Sequence, residues 1–230
     1  MIYFGTDEIK RGWDRYFDLC NALEVRNESS QAADPSISTL NTWRTKSPKG
    51  FAFVLHADRS IPEILLKAYE ENQEELPSSF EAAWEKTLER AKALSAKAII
   101  IETPPEFRPS DSARALIEKV GHFVSVQKLP VIWEKHGLWD TEESVILSRK
   151  CGLVPCYDPF LASAEELKLK KGNEVCFRIT ERAASRRQFD EYDFEQLIGW
   201  CSSFNRAFVL FNGRHKLLHA KVMSIITREL

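Results

Sequence analysis

Ala98-Ile99-Ile100-Ile101-Glu102 is an unbroken apolar run closed by one carboxylate, and Thr103-Pro104-Pro105 stops it at once. A short run of this kind, with no polar alternation, predicts a strand covered on both faces, as in a parallel sheet. Proline has no N–H to give to a ladder, so the turn that follows is rigid. It is a candidate for a cis bond, which would hold Glu102 firmly at the strand end. Helical patterns flank the run. Upstream, Ser78–Ser95 sets Ala82, Ala83, Leu88, Ala91 and Leu94 at helical spacing, with Ser79 as the expected cap and charges on the opposite face. Downstream, Asp111–Val120 repeats the pattern through Ala115, Leu116 and Val120.

The same alternation extends to both ends of the chain. Further strand candidates are Ile2–Phe4, Leu23–Arg26, Ala52–His56, Val131–Trp133, Leu153–Pro155, Glu174–Ile179 and Ala207–Phe211. Further helices are expected at Asp14–Leu19, Ile37–Arg44, Asp190–Ser203 and Leu217–Ile226. Another, Thr141–Cys151, opens on Thr-Glu-Glu and is stopped by Gly152. Eight strands in one alternating series predict an α/β protein, a single (β/α)8 TIM-barrel-like domain over residues 1–230. The length is short for eight full units, so an irregular or incomplete barrel is expected. A doubly wound open sheet is the alternative should one or two of the short strands not form. Residues 27–49 are polar, with Pro35 and Pro48, and predict a long βα excursion; residues 70–77 predict a solvated crossing.

Composition narrows the partners. The chain is 43% hydrophobic and 29% charged with a formal charge of -2, a balance that argues against bulk nucleic-acid binding. The basic stretches Lys168–Lys171 and Arg182–Arg187 are offset by Glu165, Glu166, Asp190 and Glu191. No apolar run approaches a membrane span, and the first residues do not read as a signal peptide, so a cytoplasmic protein without a membrane partner is expected. The five cysteines include no C-x-x-C pair, which predicts reduced thiols and leaves only Cys151 and Cys156 as a close pair that an oxidising setting could join. His215 and His219, four apart, are expected on the polar face of the last helix. G-x-G-x-x-G, Walker A, G-x-S-x-G and H-E-x-x-H patterns are all missing.

In a barrel, chemistry gathers where the strands end in their C-terminal direction. The catalytic candidates there are Glu24, Glu102, Glu134 and His56. The ligand-binding candidates are Thr6, Asn27, Asp158, Arg178, Arg182 and Asn212. Carboxylates in one mouth can divide into an acid and a base, and guanidinium matches a phosphate or carboxylate bidentately. These residues point to a hydrolase-like enzyme acting on a small anionic or phosphorylated ligand. His56, Glu102, Glu134, His136 and Asp158 also suit a divalent metal, which gives a metal-dependent phosphoesterase or nuclease-like enzyme as a second reading. The third reading is a non-catalytic binding or structural barrel, in which Glu24 with Arg178 or Arg26 is an internal ion pair.

Several strand ends carry a family likeness. Tyr3-Phe4-Gly5-Thr6 with Trp13, Leu23-Glu24-Val25-Arg26-Asn27, and Trp43 with Pro48-Lys49-Gly50-Phe51-Ala52-Phe53 occur in order. Glu102-Thr103-Pro104-Pro105-Glu106-Phe107, Ile132-Trp133-Glu134-Lys135, Phe177-Arg178-Ile179, and Val209-Leu210-Phe211-Asn212 with Ala220 follow. In order and spacing the chain resembles the DUF72, or YecE-like, family of unknown function. The resemblance implies a TIM-barrel-like fold and supplies no reaction. The chain departs from the family's pattern mainly at strand ends. An aromatic pair is replaced by Asn27-Glu28-Ser29-Ser30, His56 stands near the place of a lysine, Glu102 replaces a Gln, and a glycine-rich stretch shrinks to Gly213-Arg214-His215.

Overall fold

A computed structural model describes residues 1–9, 12–26, 34–162, 172–181 and 189–229. The strands are β1 (Ile2–Thr6), β2 (Ala22–Val25), β3 (Ala52–His56), β4 (Ala98–Thr103), β5 (Val131–Lys135), β6 (Val154–Tyr157), β7 (Gly172–Thr180) and β8 (Phe204–Asn212). They close into one barrel in sequence order. The described helices are α1 (Trp13–Leu19), α2 (Ile37–Lys46), α3 (Ile61–Glu70), α4 (Ser78–Leu94), α5 (Asp111–Val124), α6 (Thr141–Lys150), α7 (Glu191–Cys201) and α8 (Lys216–Glu229). The architecture is therefore the α/β barrel that the alternating runs predict, and the open sheet is excluded by closure.

The short apolar runs are strands for the expected reason. Ala98, Ile99, Ile100 and Ile101 of β4 are all buried, and their backbone groups are satisfied by parallel neighbours on either side. Each strand except β3 differs by a residue or more from its predicted limits. β7 and β8 reach nine residues because they pair with each other along their whole length.

Residue contacts group the barrel into two units. One comprises Met1–Glu24, Ser47–Ala52 and Tyr157–Leu230. In it β1 runs parallel to β2 and to β8. Gly5 lies so close to β2 that a Cβ there would sit 1.9 Å from the Ala22 carbonyl oxygen. Tyr16 of α1 locks this approach: its hydroxyl donates to the Ala22 carbonyl at 2.8 Å and accepts from the Thr6 N–H at 3.0 Å. The other unit comprises Val25–Lys46 and Phe53–Cys156, where β3, β4, β5 and β6 pair in sequence. There Trp133 and Trp139 meet edge to face, Trp139 stacks on Phe107, and the Trp139 indole N–H donates to the Phe107 carbonyl at 2.7 Å.

Several local expectations are corrected. Helix α3 was not expected from the sequence, yet Pro62 lies in its first turn, where a missing N–H costs nothing. Helix α4 has Pro77, not Ser79, at its N-cap position. The Thr103-Pro104-Pro105 turn contains no cis bond, because every described peptide bond is trans. All five cysteines are free, so Cys151 and Cys156 are unpaired. His219 is not on a polar face. It is 7% exposed and packs against Phe189, Phe194 and Phe211. Arg182, Arg186 and Arg187, the run 168–171 and residues 27–33 of the expected 27–49 excursion, Asn27 among them, lie outside the described residues. Among the described residues no helix is long and apolar enough to cross a membrane.

Candidate active site at the ends of β3, β4 and β5

Side chains two apart on a strand share a face, so Ile100 and Glu102 of β4 point the same way. Parallel register sets His56 opposite Ile100 on one side and Glu134 opposite Glu102 on the other. Two carboxylates abreast on neighbouring strands repel one another unless a cation or proton stands between them. The site supplies several positive partners. His56 Nδ1 lies 3.2 Å from Glu102 Oε1, and Arg26 Nη1 lies 3.7 Å from the same oxygen. Burial works to raise the Glu102 pKa. The hydrogen bond and charge of His56 outweigh it, with help from Arg26 and His136, and the carboxyl falls to about 2.

His136 enters from the loop after β5. A glycine is needed at its neighbour: Gly137 has φ 78° and a Cβ on it would lie 2.5 Å from the Pro105 carbonyl oxygen. The loop is tied down beyond that glycine by Lys135, whose Nζ donates to the Trp139 carbonyl at 2.8 Å. One ligand atom from each of Glu102, Glu134 and His136 lies within 4.8 Å of the others. Two carboxylates and an imidazole form a reasonable donor set for a divalent ion of the manganese or zinc kind. Glu134 is buried, Glu102 is half-buried and His136 is exposed, so the group opens outward.

It opens beside a cavity of about 540 Å³ lined by Arg26, His56, Asp58, Arg59, Ser60 and Glu102, with Ala57, Pro62, Glu63 and Ile100 completing the wall. Asp58 is held by its own loop. Its Oδ1 accepts from the Ser60 hydroxyl at 2.6 Å and the Ser60 N–H at 3.0 Å. Burial tends to raise its pKa, but those two donors and the charges of Lys86 and Arg90 bring it below the ordinary value. The sequence alone does not mark Asp58, Arg59 or Ser60 for a site, and it offers Arg26 only as an ion-pair partner. The pattern that marks them is a strand end followed by a helix start, which the sequence hides because Pro62 interrupts the start of α3.

The remaining described candidates have partners of their own. Glu24 and Arg178 belong to the other unit, where Arg178 Nη1 donates to Glu24 Oε2 at 2.6 Å and both side chains are buried. Thr6 is buried, and its hydroxyl donates to the Glu8 carbonyl at 2.9 Å. Asp158 follows β6 and accepts from the Phe160 N–H at 3.0 Å, a turn bond. Asn212 ends β8, and its carbonyl accepts from the Glu181 N–H at 3.2 Å.

These features define an α/β barrel whose strand ends carry a carboxylate–imidazole group able to coordinate a metal. No family model matches the chain, and no curated protein matches it. Solved structures do. A DUF72 family protein from Thermotoga maritima MSB8 is 16% identical, with TM-score 0.64 and 100% of both chains covered. A DUF72 family protein from Enterococcus faecalis V583 is 15% identical at TM-score 0.67, covering 100% of this chain and 98% of that one. A xylose isomerase domain containing protein from Salmonella typhimurium LT2 is 13% identical at TM-score 0.56, covering 93% and 89%. The chain thus shares the fold of DUF72 family proteins, as the strand-end motifs led one to expect.

Proposed function

We propose that this chain is a diverged DUF72-like barrel enzyme that hydrolyses a small anionic substrate with the help of a divalent metal. One observation carries the reading: Glu102 belongs both to the metal-competent group with Glu134 and His136 and to the wall of the open cavity. Glu102, Glu134 and His136 would hold the ion. A divalent ion there supplies charge that makes water easier to deprotonate and that offsets negative charge developing in the transition state.

The chain's own residues then have distinct roles. Glu102, with its pKa near 2, is ionised at neutral pH and acts as a ligand, not as a proton donor. His56, buried and beside it, is the group able to exchange a proton with water or a leaving group. In the hydrolysis itself, the water oxygen forms a bond to the electrophilic centre and the bond to the leaving oxygen breaks. His56 gives its proton to the leaving oxygen and regains one from the attacking water, so the site ends as it began.

The test is direct. Titration of the metal-free protein with Mn²⁺ or Zn²⁺ should show one site, and Glu102→Gln and Glu134→Gln should each abolish it. Turnover of a panel of anionic esters should require the metal and should be lost in Glu102→Gln and His56→Ala. Wild-type turnover that survives exhaustive chelation would overturn the metal role.

A further inference from the structure

The chain between β5 and α6 is a short crossing fixed at both ends. Lys135 closes β5, and its Nζ donates to the Trp139 carbonyl at 2.8 Å. Asp140 is the N-cap of α6 and accepts from the Glu143 N–H at 3.1 Å. Between Lys135 and Trp139 lie His136, Gly137 and Leu138, all three exposed. Trp139 turns inward and is 4% exposed. Its ring stacks on Phe107 with centroids 6.2 Å apart and meets Trp133 edge to face at 5.0 Å. Its indole N–H donates to the Phe107 carbonyl at 2.7 Å.

Phe107 belongs to the turn that leaves β4. Its own N–H donates to the Pro104 carbonyl at 3.0 Å, and Tyr69 of α3 packs on its fully buried ring with centroids 5.1 Å apart. A second indole runs in the same direction: the Trp133 N–H donates to the Thr103 hydroxyl at 3.2 Å, one residue along from Glu102. The two indole bonds thus tie the end of β4, which presents Glu102, to the strand end and loop that present Glu134 and His136. Packing by itself does not call for such bonds. Trp84 on α4 is 2% exposed, and its indole N–H has no hydrogen-bond partner among the described residues.

We infer that Trp139 is a positioning residue for the metal site, holding the loop so that His136 meets Glu102 and Glu134. The inference rests on the metal-assisted hydrolase reading and names the residue that sets its geometry. Three exposed residues have many backbone conformations, and few of them bring the imidazole within 4.8 Å of both carboxylates. Anchoring Trp139 to the β4 turn removes most of the others before an ion arrives. Less of the binding free energy then goes into ordering the loop.

Titration with Mn²⁺, followed by the paramagnetic resonance of the free ion, tests this in wild type, Trp139→Phe, His136→Ala and the double variant. Trp139→Phe keeps a ring against Phe107 and removes the N–H. It should weaken Mn²⁺ binding roughly tenfold. In the His136→Ala background the same change should alter affinity by less than about twofold, because no imidazole is left to position. The visible absorption of Co²⁺ bound to Trp139→Phe should shift towards that of His136→Ala. Leu138→Ala, in the same loop but exposed, should bind as wild type does. A merely structural tryptophan would weaken both backgrounds alike. That result, or unchanged affinity in Trp139→Phe, would overturn the inference and leave the metal reading standing. Wild type without a Mn²⁺ site would overturn both. Should Trp139→Phe not fold, Lys135→Met frees the same loop from its carbonyl side and is read in the same two backgrounds with the same expectation.

Discussion

Replacing Glu24 by Gln would keep its shape and remove its charge, leaving the Arg178 guanidinium buried without its 2.6 Å carboxylate partner. Breaking a buried pair from one side costs about 3 kcal/mol or more. Glu24→Gln should therefore lower the urea midpoint clearly; an unchanged midpoint would show that the pair contributes nothing to stability. Asp58 gives a pH prediction. Its folded pKa is depressed below the ordinary 3.8, so its contribution is full above that value and is lost as pH falls through the lower folded pKa. Asp58→Asn should accordingly lower the urea midpoint at neutral pH, where that contribution is full, and flatten the acid limb of the stability curve; an acid limb as steep as wild type would show that Asp58 contributes nothing. Gly137 supplies a third case. Gly137→Ala would force a Cβ against Pro105, displace the loop that carries His136, and weaken Mn²⁺ binding although every metal ligand remains. Equal Mn²⁺ affinity in that variant would separate His136 from the site.

At the scale of elements, α7 shows how local chemistry fixes a boundary. Asp190 accepts from the Asp193 N–H at 3.0 Å, and the Asp193 carboxylate accepts from the Asp190 N–H at 3.1 Å, a reciprocal cap. Asp190→Ala should cost about 1 kcal/mol, readable in thermal unfolding. Elements of this kind were legible in the sequence: strands from apolar runs, helices from spacing, and Glu102 and Glu134 from their places at strand ends. Helix α3 was not, because Pro62 reads as a breaker until its position in the first turn is known. Missing α3 also concealed the loop of Asp58, Arg59 and Ser60, since a loop is defined only by the elements on both sides. His219 escaped for another reason. Its spacing from His215 indicates a shared helix face, but spacing does not show that the face carries Phe189, Phe194 and Phe211 against it.

For the whole molecule, burial governs the thiols. Burial raises Cys20 and Cys201 to about 12 and Cys151 to about 11. The thiolate is the reactive form, so these three should alkylate slowly in the native protein near pH 8, while unfolded chain should yield all five thiols without reductant. A count below five in the unfolded, unreduced chain would reveal a disulfide. The fold shared with DUF72 family proteins at 15–16% identity has the same origin as these buried thiols. Closure of a parallel barrel constrains which positions are apolar more tightly than which apolar residue fills them.

The Glu24–Arg178 bond joins positions 154 residues apart, and the N-terminal amino group donates to the Asn205 carbonyl across 204. On the ribosome the chain emerges from its first residue onward, so Glu24 leaves the exit tunnel long before Arg178 has been translated. Until then the first two strands carry a carboxylate destined for burial and lack their closing neighbour. The unit that holds Glu24 therefore cannot close until β7 and β8 have been translated.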